Sequence, residues 1–459
     1  MEADWAAIEA ETIERLQALI RFDTTNPPGN ELALAQYLVD ALEREAIQTT
    51  LLIPAPGRAE VIARIKGTGA RRPVMLLAHM DVVGVEKEKW SCDPFGGVVR
   101  DGYLYGRGAI DDKGMLAANL MSMLVLKRHV VDAGVELERD VVFVATSDEE
   151  TGGDFGMKWL VREHRDLLDA EFAINEGGRT RKIAGGKRYL AIQTAEKISH
   201  MVAVTVRGPA GHSAIPLAGN AIFHLGRALA RLSEYQEPVT LTETTRRFFG
   251  LLSRVWPVPA EREAMAALVS DNESESARGA ETLSTIPVFN AVMRNGISAT
   301  RISGGVAGNV IPAEASAVLN VRTIPGFKIE DVIERMKAWL GDPEIDFAVA
   351  AHTEEAPGSD PNSPMFNAIA QSAAEIDPEL TIVPYLSTGG TDSAHLRRIG
   401  IDAYGILPFP MEQSDEERMH GHDERVPVQS LHFGMRLIFE SIRRIATGDP
   451  RLSDSSDGR

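Results

Sequence analysis

Val74-Met75-Leu76-Leu77-Ala78-His79-Met80-Asp81 opens the stretch that decides the fold, and Gly106-Arg107-Gly108-Ala109-Ile110-Asp111-Asp112-Lys113-Gly114 closes it. The apolar run 74–78 has the length and composition of a buried strand. A histidine at its end, with a carboxylate two positions on, pairs an imidazole ligand with an acid able to orient it. The glycine-flanked second segment leads into Met115-Leu116-Ala117-Ala118-Asn119-Leu120, which reads as a helix. An acid pair at the mouth of such a strand–loop–helix unit can place one carboxylate between two cations.

Outward from this stretch the pattern alternates. Residues 5–20 carry an apolar stripe at helical spacing, and Asn30 is placed to cap a second helix over 31–45. Strands are expected at 49–53, 60–65, 140–146 and 170–174, with helices over 113–128 and 155–164. Strands alternating with helices predict an α/β fold with a mostly parallel central sheet, whose chemistry lies at the carboxyl ends of the strands. Acids fall at those ends: Asp148-Glu149-Glu150 after one strand and Glu176 after another.

Character changes near residue 197. Residues 201–206 alternate like a half-exposed antiparallel strand. A loop holding Gly211-His212-Ser213 comes next, then a helix over 220–232. Residues 235–280 are helix-prone, and further strands flank Gly308-Asn309-Val310-Ile311-Pro312. The expected organisation is an α/β domain in two parts, 1–196 and 353–446. Between them lies an inserted α+β domain over 197–352, and a flexible tail occupies 447–459. At 459 residues more than one domain is required, because single cores rarely grow past about 250–300 residues.

A net charge of −18 argues against nucleic acid or an anionic membrane as partner. Cys92 is the only cysteine, which excludes an intrachain disulfide and a thiolate metal cluster. The first residues have neither a basic nor an apolar leader character, and no apolar run is long enough to span a bilayer; the expected location is cytoplasmic.

His79-x-Asp81 followed by Gly106-Arg107-Gly108-x-x-Asp111-x-Lys113-Gly114 resembles the M20-type metallopeptidase family. That family includes aminoacylase, acetylornithine deacetylase, succinyl-diaminopimelate desuccinylase and the glutamate carboxypeptidases. Gly390-Thr391-Asp392-Ser393 and His420-Gly421-x-Asp423-Glu424 bring it nearest the carboxypeptidase S-like branch. The resemblance implies two Zn2+ per subunit, with Co2+ or Mn2+ able to substitute. It implies that Asp111 bridges them, that His79 and Glu176 complete one metal, and that Glu150 and His420 complete the other. This set is all nitrogen and oxygen, as zinc accepts. Without the resemblance, His79 reads as a satisfied strand-end histidine and Asp148-Glu149-Glu150 as a solvated turn. His422 is close enough to His420 to be confused with it, and the spacing to Asp423-Glu424 selects His420. Asp112 is expected to serve through its backbone, beside the bridge.

The resemblance further implies that Glu149 is the general base, because adjacent carboxylates on one metal pair need different tasks. Asp81 would hold the His79 tautomer, with a salt bridge as its plainer role. On loop composition His212 is an ordinary polar residue; the resemblance makes it the group that polarises the scissile carbonyl. Asn309, Arg322 and Gly389-Gly390-Thr391 become substrate-binding, where composition alone gives a loop, a surface arginine and a turn.

The expected activity is a dinuclear zinc amide hydrolysis of N-acyl amino acids or small peptides with a free C-terminal carboxylate. A small-molecule or peptide substrate is the expected partner, alongside a homodimer formed through the inserted lid domain. The interval from His212 to Asn309 is longer than in minimal family members, which bears on lid shape and pairing. Rival readings are a dipeptidase requiring a free amino terminus and a non-catalytic, metal-stabilised binding protein. A nucleotide-binding enzyme is weaker, since Gly106-Arg107-Gly108 lacks the full glycine signature.

Overall fold

The structure, a computed structural model, describes residues 4–449. The central sheet runs in the order Gln48–Leu52, Glu60–Ile65, Val141–Thr146, Val74–His79, Phe172–Asn175, Asp402–Gly405, Arg188–Glu196 and Leu380–Ser387, with Arg179–Lys182 beside Arg188–Glu196. Its four middle strands, from Val141–Thr146 to Asp402–Gly405, are mutually parallel. Alternate residues of these strands enter separate cores. Val74, Leu76, Val141 and Phe143 face one; Met75, Leu77, Val142 and Val144 face the other. A sheet covered on both faces needs continuous apolar strands, hence the unbroken run at 74–78. Full burial of each such side chain contributes about 1.5–3 kcal/mol, which sets the register that puts His79 opposite Thr146.

Helix Lys113–Leu126 is buried at every residue and lies against Val428–Thr447, Trp5–Ile20 and strand Val74–His79. A helix apolar on all sides belongs at the centre of a core. The second helix begins at Leu32 with Glu31, not Asn30, at its N-terminal boundary, and Glu31 is turned inward to Arg58 at 2.7 Å. Asn30 therefore caps nothing there.

A hairpin that local composition did not announce, Val98–Arg100 with Tyr103–Tyr105, takes Arg425–Pro427 as a third strand, Arg425 opposite Tyr105. This pairing carries the segment after His420 to the start of the 106–114 loop.

A second sheet, all antiparallel, has the order Gly296–Gly304, Glu314–Thr323, Ile198–Arg207, Ile345–His352. Ile198–Arg207 alternates buried and half-exposed residues, the pattern of a strand with one face on a core. Helices Ala221–Ser233, capped by Asn220, and Ile329–Leu340 supply that core.

The helices Glu243–Leu252, Pro259–Leu268, Glu273–Ser284 and Pro287–Met293 do not enlarge this unit. Phe248, Phe249, Leu283 and Phe289 share a core with Tyr189, Ala191, Val383 and Tyr385 of the central sheet. Residues 243–293 of the long interval between His212 and Asn309 thus cover the edge of the central sheet, because their apolar faces match the otherwise uncovered face of those two strands. The last helix runs to Thr447; residues 450–459 of the expected tail lie outside the described residues. No helix among the described residues is long and apolar enough to cross a membrane.

Candidate metal centre and substrate cavity

Three adjacent parallel strands end at one edge: Val141–Thr146, Val74–His79 and Phe172–Asn175. Neighbouring strands are about 4.8 Å apart, so residues just past their ends meet. Glu149-Glu150, His79 and Glu176 therefore converge, and the 106–114 loop brings in Asp111. His79, Asp111 and Glu150 offer ligand atoms all within 4.8 Å of one another. Asp111 touches His79 Nε2 through Oδ1 and His420 Nε2 through Oδ2, each at 3.0 Å. His420 Nε2 is also 3.3 Å from Glu150 Oε1. His422 is exposed, 3.9 Å from Glu86, and takes no part.

The tautomer of His79 is set by its other nitrogen. Nδ1 lies 3.0 Å from the backbone carbonyl of Asp81, which can only accept, so Nδ1 carries the proton. Nε2 then turns a lone pair toward the Asp111 carboxylate. Two acceptors at this distance are stable only with a cation or a proton between them. An imidazole nitrogen and a carboxylate oxygen so placed are donor types that a divalent ion accepts.

The electrostatics agree. Burial, then Asp111 and Asp81, acts on His79, and the two carboxylates prevail, holding the imidazole well above its usual value. Hydrogen bonds to Asp111 and Glu150 push His420 up to about 10. Burial works against ionised Asp111, yet the bonds from His420 and His79 keep its carboxyl below the usual range. Glu149 and Glu176 are pushed well above it, first by burial and then by neighbouring carboxylates such as Asp392 and Asp111, respectively. So much acid around two imidazoles is a site whose charge fits divalent cations.

A layer behind these residues fixes them. Asp81 is fully buried and accepts from the backbone amides of Glu149 and Glu150, each at 3.1 Å. Asn26 Nδ2 donates to Asp81 Oδ2 at 2.8 Å, to Asp148 Oδ1 at 3.0 Å and to Thr151 Oγ1 at 3.1 Å. Arg58 closes the network on Asn26 Oδ1 at 2.8 Å, Asp148 at 3.2 Å and Glu31 at 2.7 Å. Asp112 is buried, and its carboxylate accepts from the His79 backbone amide at 3.2 Å, so its side chain is engaged as well as its backbone. Glu424 accepts from Arg107 at 2.6 Å and from the amides of Gly108, Ile110 and Asp111 at 3.2, 2.8 and 3.1 Å. Arg107 in turn donates to the carbonyls of His420 and Gly421 at 3.3 and 2.9 Å, tying both loops together.

A cavity of ≈ 200 Å³ opens beside Glu149 and is lined by Arg322, Gly390, Thr391, Asp392 and, from the junction between the two sheets, Lys197. Arg322 is half-buried; its Nε donates to Asn320 at 2.9 Å, and it forms no ion pair with a carboxylate among the described residues. Lys197, buried and donating to the carbonyls of Ala291 and Arg294, is lowered to about 8 by burial and by Arg322. Thr391 donates its hydroxyl to Glu196. The Gly389 amide is engaged by Ser387 Oγ at 3.2 Å.

His212 and Asn309 are elsewhere. They sit together on a short exposed ribbon, His212 paired with Val310 and the Ser213 amide donating to the Asn309 carbonyl at 3.1 Å. Neither lines the cavity.

Sequence reasoning passed over Asn26, Arg58 and Lys197, and gave Asp148 no role beyond the acidic turn. Asn26-Pro27-Pro28-Gly29 reads as a turn, and the acceptors of Asn26 lie far along the chain, so local pattern carried no signal for it.

Residues 75–444 match the description "Peptidase family M20/M25/M40". Among curated relatives, a probable carboxypeptidase S-like 2 of Dictyostelium discoideum is 29% identical over 374 residues, 78% of this chain and 69% of the relative. The human N-fatty-acyl-amino acid synthase/hydrolase PM20D1 is 28% identical over 392 residues, 83% and 76% of the two chains. The crystal structure of an M20 family metallo-carboxypeptidase from Sulfolobus solfataricus superposes with a TM-score of 0.68 at 21% identity, covering 94% of this chain and 98% of that one.

Proposed function

This chain belongs to peptidase family M20/M25/M40, a family of metallohydrolases, and on that premise we propose that it is a dinuclear zinc amide hydrolase acting on N-acyl amino acids or small peptides with a free C-terminal carboxylate. The observation that carries this reading is the Asp111 carboxylate, each of whose oxygens faces a different imidazole at 3.0 Å. Asp111 would be shared by both metals, with His79 and Glu176 on one and Glu150 and His420 on the other; Co2+ or Mn2+ could replace zinc. When bound, the metals supply Lewis acidity toward the carbonyl and acidify water.

The chain's own groups complete the chemistry. Glu149 is held by its amide on Asp81, and its carboxylate makes no hydrogen bond among the described residues. It can take the proton of a water whose oxygen attacks the carbonyl carbon. As the carbon–nitrogen bond breaks, the same proton passes to the amine nitrogen. Arg322, a cation without an acid partner among the described residues in a chain of net charge −18, would receive the substrate carboxylate, beside Gly390 and Thr391. A dipeptidase is the second reading, supported by Asp392, whose buried carboxylate borders the same cavity and would suit a free ammonium group.

His212 and Asn309 fit a site shared between two copies. Ile222, Phe223, Ile302 and Val306 are exposed on the helix, edge strand and loop near their ribbon, with Phe223 68% and Ile302 69% accessible. Such apolar residues along an open strand edge suit a second copy, which would present its own His212 to this cavity.

The reading is tested by assaying N-acyl amino acids and dipeptides after reconstitution with zinc, cobalt or manganese. Hydrolysis of carboxylate-terminated amides by the loaded protein is the expected result. Failure on every member of the panel would overturn it.

A further inference from the structure

His395, on the helix Ser393–Arg398, lines the same cavity as Glu149 and Arg322. Its Nδ1 lies 3.0 Å from an Arg398 terminal nitrogen. A guanidinium only donates, so Nδ1 accepts and the ring proton of the neutral form resides on Nε2. Arg398 is not free to turn away. Its Nε donates to the Glu355 carbonyl at 3.3 Å and its other terminal nitrogen to the Glu354 carbonyl at 2.5 Å. Burial, with Arg398 and Lys158 nearby, lowers the imidazole to about 4, so the ring is neutral at ordinary pH. Nε2–H has no hydrogen-bond partner among the described residues. His395 thus brings to the cavity wall a ring of fixed tautomer with an unpartnered donor.

We propose that His395 is a specificity-determining residue whose Nε2–H donates to a carboxylate oxygen of the substrate, the group that Arg322 meets from the wall formed by the antiparallel sheet. This rests on the amide-hydrolase reading above, which places a free carboxylate in the cavity. The two residues come from different units: Arg322 from strand Glu314–Thr323, His395 from the catalytic side. A carboxylate held by both ties those units together, whereas a carboxamide presents one oxygen and no charge. His395 thus favours acids over amides through a directional bond, and Arg322 through charge.

The test uses zinc-reconstituted protein and N-acetyl derivatives of leucine, phenylalanine and glutamate, each with its C-terminal carboxamide. Binding is measured calorimetrically in a Glu149→Gln background, and KM and kcat in the active protein. His395→Phe is expected to weaken binding of the acids about 10- to 100-fold, the effect of losing a hydrogen bond to a charged group. Carboxamide binding and kcat should be nearly unchanged. His395→Gln, which retains a donor at the same reach, should restore KM to within about threefold. If the parent protein binds none of the acids, the carboxylate reading fails and this inference with it. If the acids bind and His395→Phe changes nothing, or weakens acid and carboxamide alike, or His395→Gln fails as Phe does, the role of His395 alone is overturned.

Discussion

Asn26 donates from Nδ2 to Oδ2 of Asp81 at 2.8 Å, across 55 residues of chain. Asp81 is thereby turned so that its two oxygens receive the amides of Glu149 and Glu150, while its carbonyl fixes the His79 proton. Removing the Asn26 amide frees Asp81 to rotate and leaves Arg58 without one acceptor. Asn26→Ala should weaken metal binding or activity about 10- to 100-fold, the usual effect of losing such a supporting partner. Metal titration followed by circular dichroism checks this; an unchanged affinity with native spectra would remove Asn26 from the network.

Metal content is the next expectation. Reconstituted protein should hold two divalent ions per chain, and chelation should abolish turnover. The fold should largely persist, since the apolar strands beneath the site are buried independently of it. Elemental analysis with thermal melts before and after chelation checks both halves, and a metal-free reconstituted protein would sink the proposal.

Glu149 and Glu150 should separate under the same substitution. Glu149→Gln is nearly isosteric but cannot take a proton, so kcat should fall by about 100-fold or more with both metals retained. Glu150→Gln replaces the carboxylate that lies 3.3 Å from His420 Nε2, so one metal should be weakened. Exchanged behaviour would reverse the roles assigned within the pair.

His212 offers a test of the shared site. His212→Ala and Glu149→Gln should each be inactive alone. Mixed and allowed to exchange subunits, they form a heterodimer with one site carrying both changes and one carrying neither. Partial recovery of activity is expected. Demonstrated exchange without recovery would place the action of His212 within its own chain.

Local sequence carried much of the architecture. The apolar runs at 74–78 and 141–146 announce buried parallel strands because a doubly covered sheet admits little else, and the residues directly after each run must lie at the sheet's carboxyl edge. The place of His79, Glu149 and Glu150 at that edge was thus legible, as was that of Glu176 after the strand Phe172–Asn175, whereas the roles proposed for them came from the family resemblance. Tertiary structure alone decided what each side chain meets. Glu424 reaches Arg107 across 317 residues because an unannounced hairpin pairs Tyr105 with Arg425. The helices over 243–293 cover the catalytic sheet, although their amphipathic pattern would suit either unit. The proton of His395 sits on Nε2 because Arg398 is anchored to the carbonyls of 354 and 355. Periodicity says which face of an element is buried. It does not say which distant donor will face it, because that depends on packing summed over the whole chain.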